Sequence, residues 1–160
     1  MRIAGIVRDS IVDGAGVRDV VFFQGCPHRC KGCHNPQTWN DSGGTEMTVE
    51  EVVKSLSTSS NNVTISGGEP LIQIEAVVNL VSSLAGQGKT CWLYTGFKYE
   101  TINYLTILRL FISGVVVLID GQYDESCKDS SLLFRGSSNQ RIIDLQKTLE
   151  ENRVVLWEEV

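Results

Sequence analysis

Short apolar runs and stretches of helical periodicity follow one another along the chain. Val20-Val-Phe-Phe-Gln24 is a continuous run that reads as a buried strand. Thr48-Val-Glu-Glu51 has the form of a capping box and predicts a helix through about Leu56. The polar stretch Ser57 to Asn62 has the length of an ordinary connection. Val63 to Ser66 is a short strand that ends at Gly67-Gly68. Ile74, Val77, Val78, Val81 and Leu84 recur at helical spacing, and Gly86 and Gly88 stop that helix. Thr90 to Thr95 is a strand broken by Gly96, Tyr99 to Leu110 reads as helix, and Val115 to Asp120 is a strand followed by Gly121. A short helix around Asp144 to Glu151 and a last strand, Val154 to Trp157, complete the series.

Strand then helix, repeated, with β-branched strands that lack clean alternation, predicts an α/β fold: a largely parallel sheet covered by helices. The 160 residues predict one domain, 1–160. They are too few for eight βα units, which take about 250. An incomplete (partial) βα barrel or an open sheet remains. In both, chemistry sits at the C-terminal ends of the strands. The loop after Gln24, Gly67-Gly68, Thr95-Gly96 and Asp120-Gly121 all follow strands, so they are expected to share one rim.

Composition narrows the partners. The net charge of −5 offers no basic footprint for nucleic acid. No apolar run approaches the ~20 residues of a membrane helix. Charge returns at Arg8 and Asp9, too early for a signal-peptide core, so a cytoplasmic protein is expected. The acidic end, Trp157-Glu-Glu-Val160, is too short for an interaction arm. The five cysteines are an odd number, and three fall within the eight residues from Cys26 to Cys33. In a reducing compartment that points to a metal or to redox chemistry rather than a disulfide framework.

The loop reads Cys26-Pro-His-Arg-Cys30-Lys-Gly-Cys33-His-Asn-Pro36. Zinc in a structural site takes four closed ligands, and the fourth would have to be His28, His34 or a distant residue. An iron–sulfur cluster takes thiolates readily, and four irons on three cysteines leave one iron open. An open position is what a catalytic metal site keeps. Cys91, in an apolar strand, reads as core, and Cys127, in a polar loop, as a free thiol. Trp39, Trp92 and Trp157 read as packing residues. His28 is expected to be exposed, a neighbour of the metal rather than a ligand.

The spacing C-x-x-x-C-x-x-C resembles that of the radical S-adenosylmethionine enzymes. Ser10-Ile-Val-Asp-Gly-Ala-Gly-Val-Arg18 resembles the lead-in of their glycyl-radical-enzyme activases, with Ala15 in place of the usual proline. Phe22-Phe-Gln-Gly-Cys26 resembles their first strand, and Gly67-Gly-Glu-Pro70 their GGEP motif. Cys33-His-Asn-Pro-Gln-Thr-Trp39, Tyr94-Thr-Gly96, Asp120-Gly-Gln-Tyr123 and Phe134-Arg-Gly-Ser-Ser-Asn-Gln-Arg141 are most similar to the activators of anaerobic ribonucleoside-triphosphate reductase.

That resemblance implies a radical SAM partial barrel. It implies a [4Fe-4S] cluster on Cys26, Cys30 and Cys33, with the open iron binding the amino and carboxylate groups of S-adenosyl-L-methionine. Further cofactor contacts are expected from Gly32, Cys33 and His34, from Gly67, Gly68, Glu69 and Pro70, and from Thr95 and Asp120. Ordinary turn chemistry explains Thr95 and Asp120 nearly as well. Arg135 and Arg141 are read as contacts to the partner or a carboxylate, or as surface ion pairs. The expected partners are the reductase, as protein substrate, and a flavodoxin- or ferredoxin-type electron donor. Activators of pyruvate formate-lyase type, small-molecule radical enzymes and a zinc-stabilised interaction module are the alternatives. The small size predicts a rim that admits a loop carrying a target glycine, provided that Ser126 to Gln140 leaves it clear.

Overall fold

The computed structural model describes residues 1–58 and 61–159. Seven strands form one sheet: β1 (Arg2–Ser10), β2 (Arg18–Phe23), β3 (Thr45–Glu46), β4 (Asn62–Gly67), β5 (Cys91–Tyr94), β6 (Val115–Asp120) and β7 (Arg141–Asp144). Their order is β3-β1-β2-β4-β5-β6-β7. The four central strands, β2, β4, β5 and β6, run parallel. β1, β3 and β7 pair antiparallel at the two sides, so the sheet does not close.

The strands β4, β5 and β6 and the four helices, α1 (Val49–Ser55), α2 (Ile74–Ala85), α3 (Tyr104–Ser113) and α4 (Leu145–Glu151), match the predicted series in order. Thr48 caps α1 through the reciprocal box with Glu51. The expected helix from Tyr99 instead opens with a single tight turn, Tyr99–Thr101, and restarts at Tyr104 behind the Asn103 side-chain cap. Val154 to Trp157 makes one bridge, Ile143 with Leu156, rather than a strand. Asn152, left-handed at φ 52°, turns the chain out of α4 so that only this short return is possible. Residues 59 and 60 of the predicted connection Ser57 to Asn62, and Val160 of the acidic end, lie outside the described residues. Among the described residues, no helix is long and apolar enough to cross a membrane.

The pleat sorts the central strands into two faces. Val21, Phe23, Ile65, Leu93 and Leu118 join the main core with Val77, Leu80, Val81 and Leu84 of α2 and Ile107 and Leu110 of α3. Trp92 and Ile119 point the other way, into a small cluster with Phe134 and Trp157. All four helices add residues to the first face only. On the second face, Arg18 is buried, and among the described residues it meets no carboxylate. Its guanidinium donates to Thr64 Oγ1 and the carbonyls of Val63 and Ala15, and lies 5.1 Å from the Trp92 ring. Burial draws its pKa down to about 10.

Candidate functional site

A cavity of about 360 Å³ opens over the helix-free face, at the C-terminal ends of the parallel strands. Small-molecule sites run from roughly 300 to 1,000 Å³. Its floor is built by period-2 alternation: Phe22, Ser66 and Tyr94 line it, while their neighbours Phe23, Ile65 and Leu93 face the helices.

Cys26, Cys30 and Cys33 all line the cavity and are all free. Backbone hydrogen bonding zips their loop to the strand ends. Gly25 N donates to Thr38 O at 2.6 Å, Cys26 N to Trp39 O at 3.2 Å, and Glu69 N to Gly25 O at 2.8 Å. Main-chain groups also meet the sulfurs: Asn35 N donates to Cys33 Sγ at 3.3 Å, the backbone at His28 and Arg29 bonds Cys26, and that at Tyr123 bonds Cys30. Burial pushes the Cys26 and Cys30 thiols up, against the pull of those bonds. The thiols therefore release their protons on binding a metal. Three part-buried sulfurs with N–H donors aimed at them fit a thiolate-held iron–sulfur cluster. Among the described residues, no group of three or more His, Cys, Asp or Glu side chains gathers around one metal-ion position.

Gly67 and Gly68 line the cavity next to the cysteine loop. A Cβ on Gly68 would lie 2.3 Å from Gly25 O, so only glycine allows the two turns to touch. Thr95 and His34 also line it, and His34 packs against the Tyr123 ring at 5.1 Å.

The other expected contacts lie outside the lining. Gly32 backs onto Glu125 and Tyr123. Pro70 is buried at the start of a tight turn. Glu69 is fully buried, with both oxygens engaged by protein donors. Asp120, 1% exposed, accepts from Tyr99 N at 2.7 Å and from the Arg141 guanidinium. Arg141 continues to Glu100 at 2.8 Å, so it closes an ion-pair network.

Two expectations are corrected. His28 is not exposed: its side chain is 8% accessible and bonded to Glu69. Pro27 and the φ of 50° at Arg29 turn the loop inward at that point. Nor does Ser126 to Gln140 leave the rim clear. Leu132, Phe134, Arg135, Gly136 and Gln140 all line the cavity, held there by bonds such as Tyr94 Oη to Phe134 O and Gln140 Nε2 to Gly121 O. Cys91 faces the helices, and burial pushes its thiol to about 12. Trp92 and Trp157 pack together, but Trp39 lines the cavity.

The sequence reading gave Tyr94 no role of its own, although it shares the face of Trp92 at spacing two. Arg135, read as a contact to the partner or a carboxylate or as a surface ion pair, lines the cavity instead of the outer surface. Trp39 Nε1 and Arg135 Nε are buried without a hydrogen-bond partner among the described residues.

The 4Fe-4S single cluster domain family matches residues 12–143. The activating protein of anaerobic ribonucleoside-triphosphate reductase from Enterobacteria phage T4 is 41% identical over 139 residues, covering 82% of this chain and 86% of that protein. The corresponding protein of Escherichia coli K12 is 32% identical, covering 85% of this chain and 94% of that one. The chain belongs to this iron–sulfur activase family. The pyruvate formate-lyase-activating enzyme of Clostridium pasteurianum is 37% identical over 98% of the chain, which spans 66% of that enzyme. As a member of the activase family, the chain is an oxidoreductase-type enzyme with a 4Fe-4S domain. The family match includes all three cavity cysteines.

Proposed function

We propose that the chain is a radical S-adenosyl-L-methionine activase whose protein substrate is the anaerobic ribonucleoside-triphosphate reductase. The supporting observation is the meeting of Cys26, Cys30 and Cys33 with Gly67, Gly68 and Thr95 around one cavity. Residues 1–160 act in this reading as one radical SAM domain of partial-barrel type.

Cys26, Cys30 and Cys33 would hold the [4Fe-4S] cluster. When bound, it would supply the one electron for reductive cleavage of S-adenosyl-L-methionine, giving methionine, 5′-deoxyadenosine and a glycyl radical on the reductase. The chain's own residues bind, orient and exclude water. Gly67, Gly68 and Thr95 line the space for the methionine end, and residues from 132–140 form one of its walls. No acid–base pair is required. The electron comes from a reducing flavodoxin- or ferredoxin-type protein, in a cytoplasmic setting.

The test is anaerobic reconstitution with iron and sulfide, then dithionite and S-adenosyl-L-methionine. Wild type yields 5′-deoxyadenosine and Cys30→Ala yields none. Incubation with the reductase then gives a glycyl-radical EPR doublet. A doublet on pyruvate formate-lyase alone moves the assignment to the second activase class, favoured by the 37% identity to the enzyme of Clostridium pasteurianum. A colourless zinc-binding protein that makes no 5′-deoxyadenosine overturns the enzyme reading.

A further inference from the structure

His28 stands between Cys26 and Cys30, and its ring is held on every side. Its Nε2 lies 2.7 Å from Glu69 Oε2, and Gln122 Nε2 lies 3.2 Å from its Nδ1. The ring meets Phe97 edge-on, with centroids 4.7 Å apart. Gly96 lies against it so closely that a Cβ there would sit 2.5 Å from His28 Cδ2. The Gln122 amide that meets the ring also lies 3.9 Å, through Oε1, from Cys30 Sγ.

Glu69 is 0% exposed and takes three further bonds: from Leu71 N at 3.0 Å, Thr95 Oγ1 at 2.9 Å and Gly96 N at 2.7 Å. A carboxylate accepts only, and this one meets four donors. Both ring nitrogens are thus occupied, Nε2 by Glu69 and Nδ1 by the Gln122 amide. The result is a buried carboxyl group tied through one imidazole to the middle of the cysteine loop.

We propose that His28 is a positioning residue: it anchors the cysteine loop to the buried Glu69 carboxyl group, and so fixes Cys26 and Cys30 beside the cluster site. This rests on the reading of the cavity as an iron–sulfur site. A loop fixed before the metal arrives loses less entropy on binding it, so the cluster is retained better. His28 touches no reacting atom and acts through the loop.

The experiment compares reconstituted wild type with His28→Ala, His28→Gln and Glu69→Gln. Iron and acid-labile sulfide per chain are counted after desalting. His28→Ala is expected to keep less than half the wild-type iron. His28→Gln places an amide N–H where Nε2 stands and restores it. Glu69→Gln, which puts a donor where one of the accepting oxygens stands, lowers iron retention as His28→Ala does. Wild-type iron content in His28→Ala overturns the proposal, as does failure of glutamine to rescue, which would mean that the ring serves packing alone. If His28→Ala loses its helical circular dichroism, Gln122→Glu, which keeps an Oε1 toward Cys30 Sγ and removes the amide that meets Nδ1, must show lowered iron retention instead. A wild-type chain that takes up no cluster overturns the proposed function as well. A loaded wild type with an unaffected His28→Ala overturns only the role of His28.

Discussion

At the scale of single residues, the site is made by contacts too close for substitution. Gly68 N donates to Phe23 O at 3.0 Å, and Gly25 O, which accepts from Glu69 N, sits where a Gly68 Cβ would go. Neither partner is the flexible end of a side chain. Gly68→Ala is therefore expected to lower stability by about 1–3 kcal/mol, the usual cost of overpacking a tight contact. Urea unfolding of the metal-free chain measures it, and a midpoint equal to wild type would refute the contact. The cysteine cluster stood out in the sequence by its spacing, whereas Gly67-Gly-Glu-Pro70 reads alone as a plain turn and stood out only beside the cysteines, through the family resemblance. The burial of Glu69 and His28 was not legible. A Glu after two glycines reads as a first-turn carboxylate, and nothing local reveals that Thr95, Gly96 and His28 converge on it.

At the scale of elements, β7 is tied to the turn Tyr99–Thr101 through Arg141, which bridges Asp120 and Glu100. The Arg141 hydrogen bond holds the Glu100 carboxyl down at about 2, against its ordinary 4.5. Folding thus favours the ionised form, and the contribution is complete above pH 4.5 and lost as pH falls toward 2. Glu100→Gln should lower the urea midpoint at pH 6, and the gap to wild type should close as the pH is brought toward 2. Because Glu100 is 57% exposed, added salt should narrow the gap at any pH. A gap independent of pH would show that the pair carries no net stabilisation. The antiparallel strands β1 and β7 escaped the sequence reading for opposite reasons. β1 mixes Arg8 and Asp9 into its half-exposed length, which blurs the apolar pattern. β7 has only four residues and directly precedes α4.

At the scale of the whole molecule, the helices occupy one face and leave the other to the cavity, so core and site are separated by the thickness of a sheet. The parallel centre was legible from the strand-helix series, because each parallel connection needs a crossover. The wall supplied by residues 132–140 was not, since its course is set by bonds between loops such as Asn139 Nδ2 to Gln122 O. Glu69 links these scales. The amides of Leu71 and Gly96 end on the same buried carboxylate, and the imidazole from the cysteine loop completes it. None can leave without opening a buried carboxyl group that the others still bond. The rim should thus open as one cooperative unit: in native-state hydrogen exchange, Leu71 and Gly96 should share one opening free energy and shift together in Glu69→Gln. Independent exchange of the two amides would contradict that. A single carboxylate would then work as an assembly checkpoint, letting the strand ends settle all together or not at all.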